Sequence, residues 1–305
     1  MDINVKPLTE RDDISLYRTM TFLRFQEDVD NFKPDGSLIA FKAIDANEQP
    51  IGLGLAHSIP IEGIILSVFV DSKHRNKGIG TLLFQKLEQA LFDRSHLCIF
   101  VQYQGDTSDT PSFERILKKQ NWTPPIVQKL ICEVDRNIFK APWIRHPISP
   151  EFSVFPWTKL TDKERSMILH KQQAEQWYQE DLSPFNGESS IEPSNSVGLS
   201  YKGEVAGWCI THRVAPNTIR YTAMFLRKDL RSSGLGILLL AESVRRLEKA
   251  VQIDKDLVDF HSIWMIEKKN DLMIKFAERY LLPWNVRVSE IKYSQKNNEG
   301  FKNVT

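Results

Sequence analysis

The sequence predicts an α/β chain built twice over: two tandem domains of one architecture, each a sheet flanked by helices. Three observations predict it. The 305 residues are long for one compact domain and comfortable for two cores. The segments DSKHRNKGIGTLLFQKLEQAL (71–91) and RKDLRSSGLGILLLAESVRRL (227–247) share one layout, a glycine turn followed by a helical apolar period. Arg75, Gly78 and Gly80 correspond to Arg231, Gly234 and Gly236, an offset of 156 residues (231 minus 75), about half the chain. A repeat of that period duplicates a whole domain rather than a short motif.

The flanks agree element by element. IILSVFV (64–70) and IRYTAMFL (219–226) read as strands ahead of the two turns. Before each lies a hairpin: LIAFKAI and IGLGLAH joined across 45–50, and VGLSY and VAGWCITH joined by Lys202-Gly203-Glu204. Beyond the turns the period changes from two to between three and four. Ile79, Leu82, Leu83, Leu87, Ala90 and Leu91 mark one helix face; Leu235, Leu238, Leu239, Ala241, Val244 and Val251 mark the other. Strands at 97–103 and 261–266, short helices at 111–119 and 270–280, and strands at 127–134 and 286–291 complete the two copies.

The order is therefore helix pair, hairpin, strand, glycine turn, helix, strand, helix, strand, read twice. NIFKAPWIRHPISP (137–150) has three prolines and no clean period. It divides the chain into a domain over 1–137, a linker over 138–150 and a domain over 151–305. SPFNGESSIEPSNS (183–196) reads as a mobile surface loop, with a substrate-covering lid as the alternative.

Composition narrows the function. Apolar residues at 41% and charged residues at 26% are ordinary for a globular protein. Lys+Arg 40 against Asp+Glu 39 leaves +1, so no global field points to nucleic acid or an anionic membrane as partner. The start, MDINVKPLTERDD, has no apolar signal core, and no uninterrupted apolar span matches a bilayer. Cys98, Cys132 and Cys209 each sit in a strand-like apolar run without a CxxC, as small buried hydrophobes do. These features predict a soluble, cytoplasmic protein.

The glycine turns carry the chemistry. A strand that ends in a glycine turn opening a helix exposes several backbone N–H groups where the helix dipole favours an anion. Glycine lets that backbone approach a phosphate closely and adopt φ > 0. Lys73, His74, Arg75 and Lys77 add charge in the first copy; Arg227, Lys228 and Arg231 add it in the second. The expected ligand is a phosphate or diphosphate held mainly by backbone. No Gly-x-x-x-x-Gly-Lys-Ser/Thr occurs, which argues against a nucleoside triphosphatase. The turn follows the third strand of its unit rather than opening a βαβ pair, which argues against a dinucleotide fold. Gly-x-Ser-x-Gly, His-Glu-x-x-His and metal-ligand spacings are missing, so no metal is expected.

At these residues the chain resembles the GNAT superfamily of acetyltransferases, whose signature is Arg/Gln-x-x-Gly-x-Gly/Ala after the fourth strand. Arg75-Asn76-Lys77-Gly78-Ile79-Gly80 and Arg231-Ser232-Ser233-Gly234-Leu235-Gly236 both fit it. The tandem arrangement is similar to that of mycothiol synthase. The resemblance implies a mixed, mostly antiparallel, splayed sheet flanked by helices in each domain. It implies acetyl-CoA, or another acyl-CoA, with its pyrophosphate on the turn and its pantetheine arm along the fourth strand. Backbone at Val68, Phe69 and Val70 would hold that arm in the first copy, and Met224, Phe225 and Leu226 in the second. Asn270 matches the family's coenzyme-contacting Asn. The Tyr expected seven residues later, which often protonates the leaving thiolate, is replaced by Ala277, and by Leu117 in the first copy.

Acyl transfer to an amine also needs a proton acceptor. Glu267, ending HSIWMIE, is the candidate catalytic residue; a solvated strand end is its bland reading. Glu62 reads as a hairpin residue, and His57 and His212 as paired late-strand histidines that are structural or basic. Trp177, Tyr178, Trp208 and Trp264 line an acceptor pocket or pack a core. The implied function is an acyl-CoA-dependent N-acyltransferase working by direct transfer to a small-molecule or peptide amine, with chemistry in the second copy. The alternative is a non-catalytic acyl-CoA-binding or regulatory module.

Overall fold

A computed structural model describes residues 3–34, 36–60, 62–231 and 234–298. In chain order its strands are β1 Asn4–Pro7, β2 Leu38–Ile44, β3 Pro50–Ser58, β4 Gly63–Val70, β5 Cys98–Gln104, β6 Ile126–Val134, β7 Phe152–Pro156, β8 Val197–Tyr201, β9 Glu204–Ala215, β10 Thr218–Leu226, β11 His261–Glu267 and β12 Asn285–Asn297. The α-helices are α1 Gln26–Asp30, α2 Ile79–Asp93, α3 Thr110–Lys119, α4 Asp162–Glu175, α5 Leu235–Ala250 and α6 Asp271–Tyr280. None of these helices is long and apolar enough to cross a membrane.

The chain divides into two compact units, Met1–Gln128 with Ile291–Thr305, and Lys129–Glu290. In the first unit the sheet runs β1-β2-β3-β4-β5-β12, antiparallel except for the β4–β5 pair. In the second it runs β7-β8-β9-β10-β11-β6, antiparallel except for the β10–β11 pair. Each sheet is mixed and mostly antiparallel with helices against it, so the predicted fold class is the observed one.

The strand that closes each sheet comes from the other half of the sequence. Residues 129–134 of β6, which follow α3 in the chain, pair with β11 and place Cys132 and Val134 in the second unit's core. Residues 291–297 of β12 pair with β5 instead. There Lys292 reaches Glu114 at 2.8 Å, Lys296 pairs with Glu88, and the Ser294 hydroxyl donates to Thr123 O at 2.7 Å. The units are therefore not the sequential 1–137 and 151–305. Duplicated strands offer equivalent edges and apolar faces, so local sequence does not specify which sheet a closing strand extends.

The segment 138–150, expected as a linker, contributes Ile138, Ala141, Trp143 and Ile144 to the second unit's core, and the Trp143 indole donates to Tyr280 O at 3.0 Å. Its prolines mark 3-10 turns, such as Pro142–Arg145, rather than a tether. The segment 183–196 is likewise no loose loop. Glu192, Asn195 and Ser196 are buried, and Glu192 meets Arg213 at 2.6 Å. The helix pair survives in the second unit as α4 and the 3-10 turn Glu180–Leu182; in the first it shrinks to 3-10 turns at Ile14–Met20 and Leu23–Phe25 with the short α1.

Both long helices follow the predicted period. α2 buries Ile79, Leu83, Phe84, Leu87 and Leu91, with Phe84 inside while Leu82 lies exposed. α5 buries Leu235, Leu239, Leu240, Val244 and Leu247. Each such side chain contributes about 1.5–3 kcal/mol of burial, and this holds the start of each helix against its sheet.

Candidate functional site

Each unit opens its sheet at the same place. β4 pairs with β5 only where Gly63, Ile64 and Ile65 face Ile99, Phe100 and Val101. β10 pairs with β11 only where Thr218 through Tyr221 face His261 through Trp264. At the next residue of each strand, Leu66 and Thr222, the antiparallel register slips by one in a β-bulge. These positions are 156 apart (222 minus 66), as the glycine turns are. A bulge adds twist and bends its strand, and here the strand leaves its parallel neighbour at that point. Residues 67–70 and 223–226 keep β3 and β9 on one edge, and no strand covers the other edge among the described residues. Main-chain groups on that edge seek partners, and an extended ligand can supply them.

The free edge leads into the glycine turn. Asn76 (φ 63°), Gly78 (φ 82°) and Gly234 (φ 73°) are left-handed, which bends the strand end back into the helix. Gly78 and Gly234 cap α2 and α5 without a side-chain hydrogen bond, so no cap side chain occupies the first-turn N–H groups. Ile79 and Leu235 point into the cores at 2% and 3% exposure and leave only backbone at the surface.

The second motif glycine is the informative one. Gly80 and Gly236 are the second residues of their helices. A Cβ there would meet its nearest side-chain atom at 3.6 Å (Val70) and 3.7 Å (Leu226), which are ordinary contacts. The fold does not require glycine at either position, and glycine within a helix costs up to about 1 kcal/mol relative to alanine. Glycine in both copies fits close approach of a ligand to the backbone, and the donors there suit a phosphate.

The motif arginines do something the sequence did not show. Arg75 Nε donates to Val70 O at 3.1 Å, and Arg231 Nε donates to Leu226 O at 2.9 Å. Both lace the turn to the last carbonyl of its strand. Arg75 also pairs with Asp109 at 3.0 Å, and Arg231 lies 5.7 Å from the Phe225 ring centroid. Val68, Phe69 and Val70, and Met224, Phe225 and Leu226, occupy the free-edge segments. Ser232 and Ser233 lie outside the described residues.

In the second unit the opening is a cavity of about 1110 Å³. Its floor is β10 from Tyr221 to Leu226, one wall is the end of β11 with the start of α6, and the other is the segment 172–182. That second wall is locally fixed. α4 starts on a capping box of Thr161 and Glu164 and ends on left-handed Gln176 (φ 47°). The Gln172 side chain then holds the returning chain, accepting from Tyr178 N at 2.9 Å and donating to Tyr178 O at 3.1 Å. This carries Trp177 and Tyr178 to the cavity, where Trp264 also lies, stacked on Tyr221 at 4.3 Å. Trp208 belongs to the core, with its indole on Leu182 O at 2.9 Å.

Glu267 and Asn270 both line this cavity. Glu267 is held by Lys129 at 3.0 Å, and Asn270 caps α6 by accepting from Met273 N at 3.1 Å. Leu117 and Ala277 are buried core residues, and Tyr103, near the first of them in sequence, donates to Glu114 at 3.0 Å. Burial pushes the Cys209 thiol up to about 12, so this cavity-lining cysteine is no neutral-pH nucleophile. His57 sits in the β3–β4 ladder opposite Ile64, and Glu62 in the tight turn after β3. His212 is buried with both ring nitrogens bonded, to Thr222 and to Asn186. Sequence reasoning missed Thr222, whose importance comes from the bulge, and Gln172, one of several glutamines in a polar helix. Among the described residues no group of three or more His, Cys, Asp or Glu side chains is placed to hold a metal ion.

The model of the Acetyltransferase (GNAT) family matches residues 4–112. Among solved structures, a tandem GNAT protein from the clavulanic acid biosynthesis pathway is 12% identical at a TM-score of 0.65, covering 97% of this chain and 98% of its own. A GCN5-related N-acetyltransferase from Sphaerobacter thermophilus is 14% identical at 0.58, with 97% and 95% covered. A conserved protein from Enterococcus faecalis V583, described as a probable N-acyltransferase, is 11% identical at 0.51, with 97% and 73% covered. At these identities the likeness is one of fold. No curated protein matches the sequence.

Proposed function

We propose that this chain, a tandem GNAT-fold protein whose residues 4–112 belong to the GNAT acetyltransferase family, is an acyl-CoA-dependent N-acyltransferase that works in its second unit. One observation carries the reading: the free edge of β10 runs from the glycine turn along the floor of the large cavity.

The residues divide the task. Backbone N–H groups at Gly234, Leu235 and Gly236 hold the coenzyme pyrophosphate at the start of α5. Main chain at Met224, Phe225 and Leu226 holds the pantetheine arm as an added strand. Bound acetyl-CoA, or another acyl-CoA, supplies the acyl group as a thioester. The wall carrying Trp177 and Tyr178 takes the amine, with Glu267 and Asn270 at the facing lip. Alignment of the two reactants supplies much of the rate, and a proton acceptor supplies the rest. In the first unit Leu66 stands at the bulge and Leu117 at the acid position, so it offers no hydroxyl or acid at either place. Coenzyme binding without turnover is the reading favoured there.

Calorimetric titration of acetyl-CoA into wild type, Gly80→Glu and Gly236→Glu tests this, with thiol release measured across a panel of amines. The expected result is two sites, each lost separately, and amine-dependent release abolished only by Gly236→Glu. No binding by wild type at high micromolar coenzyme overturns the proposal.

A further inference from the structure

We infer that Thr222 and His212 form a proton relay at the closed end of the β10 edge, taking the proton from the amine as it attacks the thioester. The relay rests on the acyltransferase reading above. It does not follow from the glycine turns, and Glu267 takes no part in it.

Position comes first. Thr222 is the bulge residue, where the edge that starts beside the glycine turn ends. From Leu226 to Thr222 the strand rises roughly 13 Å, four steps of about 3.3 Å. A pantetheine arm laid along it from the turn brings its thioester end to Thr222. The residue lines the cavity, which puts it where the arm's reactive end and the amine meet.

Hydrogen bonding sets the direction of proton flow. His212 Nε2 lies 2.9 Å from Asn186 O. A carbonyl only accepts, so Nε2 carries the ring proton and Nδ1 presents its lone pair. Nδ1 lies 2.8 Å from Thr222 Oγ1, which makes the hydroxyl the donor; Arg220 O, at 3.4 Å, is its longer alternative acceptor. The threonine oxygen keeps a lone pair for a donor in the cavity. A hydroxyl backed by an imidazole, itself oriented by a third group, has the geometry needed to pass a proton inward.

The ring is held for this task. It is 7% exposed, and the segment behind it comes so close that a Cβ on Gly187 (φ 64°) would sit 3.2 Å from Nε2. That segment is the one read from sequence as a surface loop or lid; its Asn186 carbonyl selects the histidine tautomer. Charged residues beside His212 are Arg220 opposite it on β10, Arg213 next to it on β9, and Glu188 and Glu192 on the 183–196 segment that bridges to it at Ile191. Glu188 pairs with Arg165, and Glu192 with Arg213. The first unit has the matching bulge but places Leu66 there, so the relay exists in one unit only.

The step balances. The acceptor enters as the free amine, having lost one proton to solvent. Its nitrogen lone pair forms the N–C bond at the thioester carbonyl while its proton passes to Thr222 Oγ1 and the threonine proton passes to His212 Nδ1. The C–S bond breaks and its electron pair leaves as thiolate. The imidazolium then returns its proton through Thr222 to sulfur, giving amide, thiol and a neutral His212. Thr222 is the catalytic residue in this scheme, and His212 acts through it.

The test uses the full-length protein with acetyl-CoA and an amine that wild type turns over. Thr222→Val keeps the shape and removes the hydroxyl, and should lower kcat about 100-fold, within the range for general acid–base catalysis. The calorimetric Kd for acetyl-CoA should stay within twofold. Thr222→Ser should recover most of the rate. His212→Gln should lower kcat similarly while leaving the KM and the calorimetric Kd for acetyl-CoA within twofold of wild type. Wild-type kcat in Thr222→Val, a Thr222→Ser as slow as Thr222→Val, or wild-type kcat in His212→Gln overturns the relay while leaving the acyltransferase reading intact. A wild type that binds coenzyme yet releases no thiol with any amine overturns both.

Discussion

Gly236→Ala separates what the fold needs from what the ligand needs. The substitution adds one Cβ at the second residue of α5, where the nearest side-chain atom, Leu226 Cδ1, would lie at 3.7 Å. That is van der Waals contact without overlap, so the free protein has no steric reason to resist. A glycine-to-alanine change in a helix gains up to about 1 kcal/mol, and in the first turn roughly half of that. For a unit spanning Lys129–Glu290, that size class shifts by about 2–4 °C per kcal/mol, giving a rise of about 1–2 °C in Tm. The same methyl stands over the first-turn N–H groups. Losing one charge-assisted hydrogen bond to a phosphate costs about 1.5–3 kcal/mol, a tenfold to hundredfold weaker Kd. Scanning calorimetry of the free protein and titration with acetyl-CoA read the two effects separately, with Gly80→Ala as the counterpart in the first unit. A variant that binds coenzyme like wild type refutes the assignment of Gly236 to the phosphate. A Tm several degrees lower refutes the claim that the fold does not require glycine there.

Three further outcomes follow from named contacts. Ala277→Tyr, which restores the residue type expected at that position, should not raise thiol release; Ala277 is 2% exposed, and overpacking should cost about 1–3 kcal/mol, read by denaturant unfolding. Burial alone would raise the Glu192 carboxyl, but bonds from Arg213 and Ser194 outweigh it and hold it below the ordinary range. A depressed folded value stabilises above the unfolded value near 4.3 and is lost as pH falls through the folded one. Glu192→Gln should therefore cost about 1–3 kcal/mol at pH 7, and the gap to wild type should close in acid below about pH 4; an equal gap at pH 7 and pH 3 contradicts this. Truncation after Glu290 strips β12 from β5 and removes the Lys292–Glu114 and Lys296–Glu88 pairs. Hydrogen exchange should show the β5 amides losing protection, and unchanged protection would show that the first unit does not need its closing strand.

Much of this molecule is legible in its sequence. The glycine turns, the hairpins ahead of them and the apolar faces of α2 and α5 are local patterns, because periodicity, turn chemistry and left-handed φ depend on residues a few positions apart. The repeat at an offset of 156 carried the architecture of both units, and the departures at Leu117 and Ala277 were visible by counting. Partner choice was not visible. A strand's pattern states that it has a buried face but not which sheet buries it, so β6 and β12 read as closing their own halves and close the opposite ones. The prolines of 138–150 read as a linker because burial of Trp143 and Ile144 depends on a helix a hundred residues away. The bulges at Leu66 and Thr222 arise from a register between strands, and no spacing in one strand announces them. That register opens the edge in both copies and in the second brings Thr222 to His212. The sequence by itself determined the elements and the glycine turns; only tertiary pairing decided where the sheets part, because register between strands is set by residues far apart in the chain.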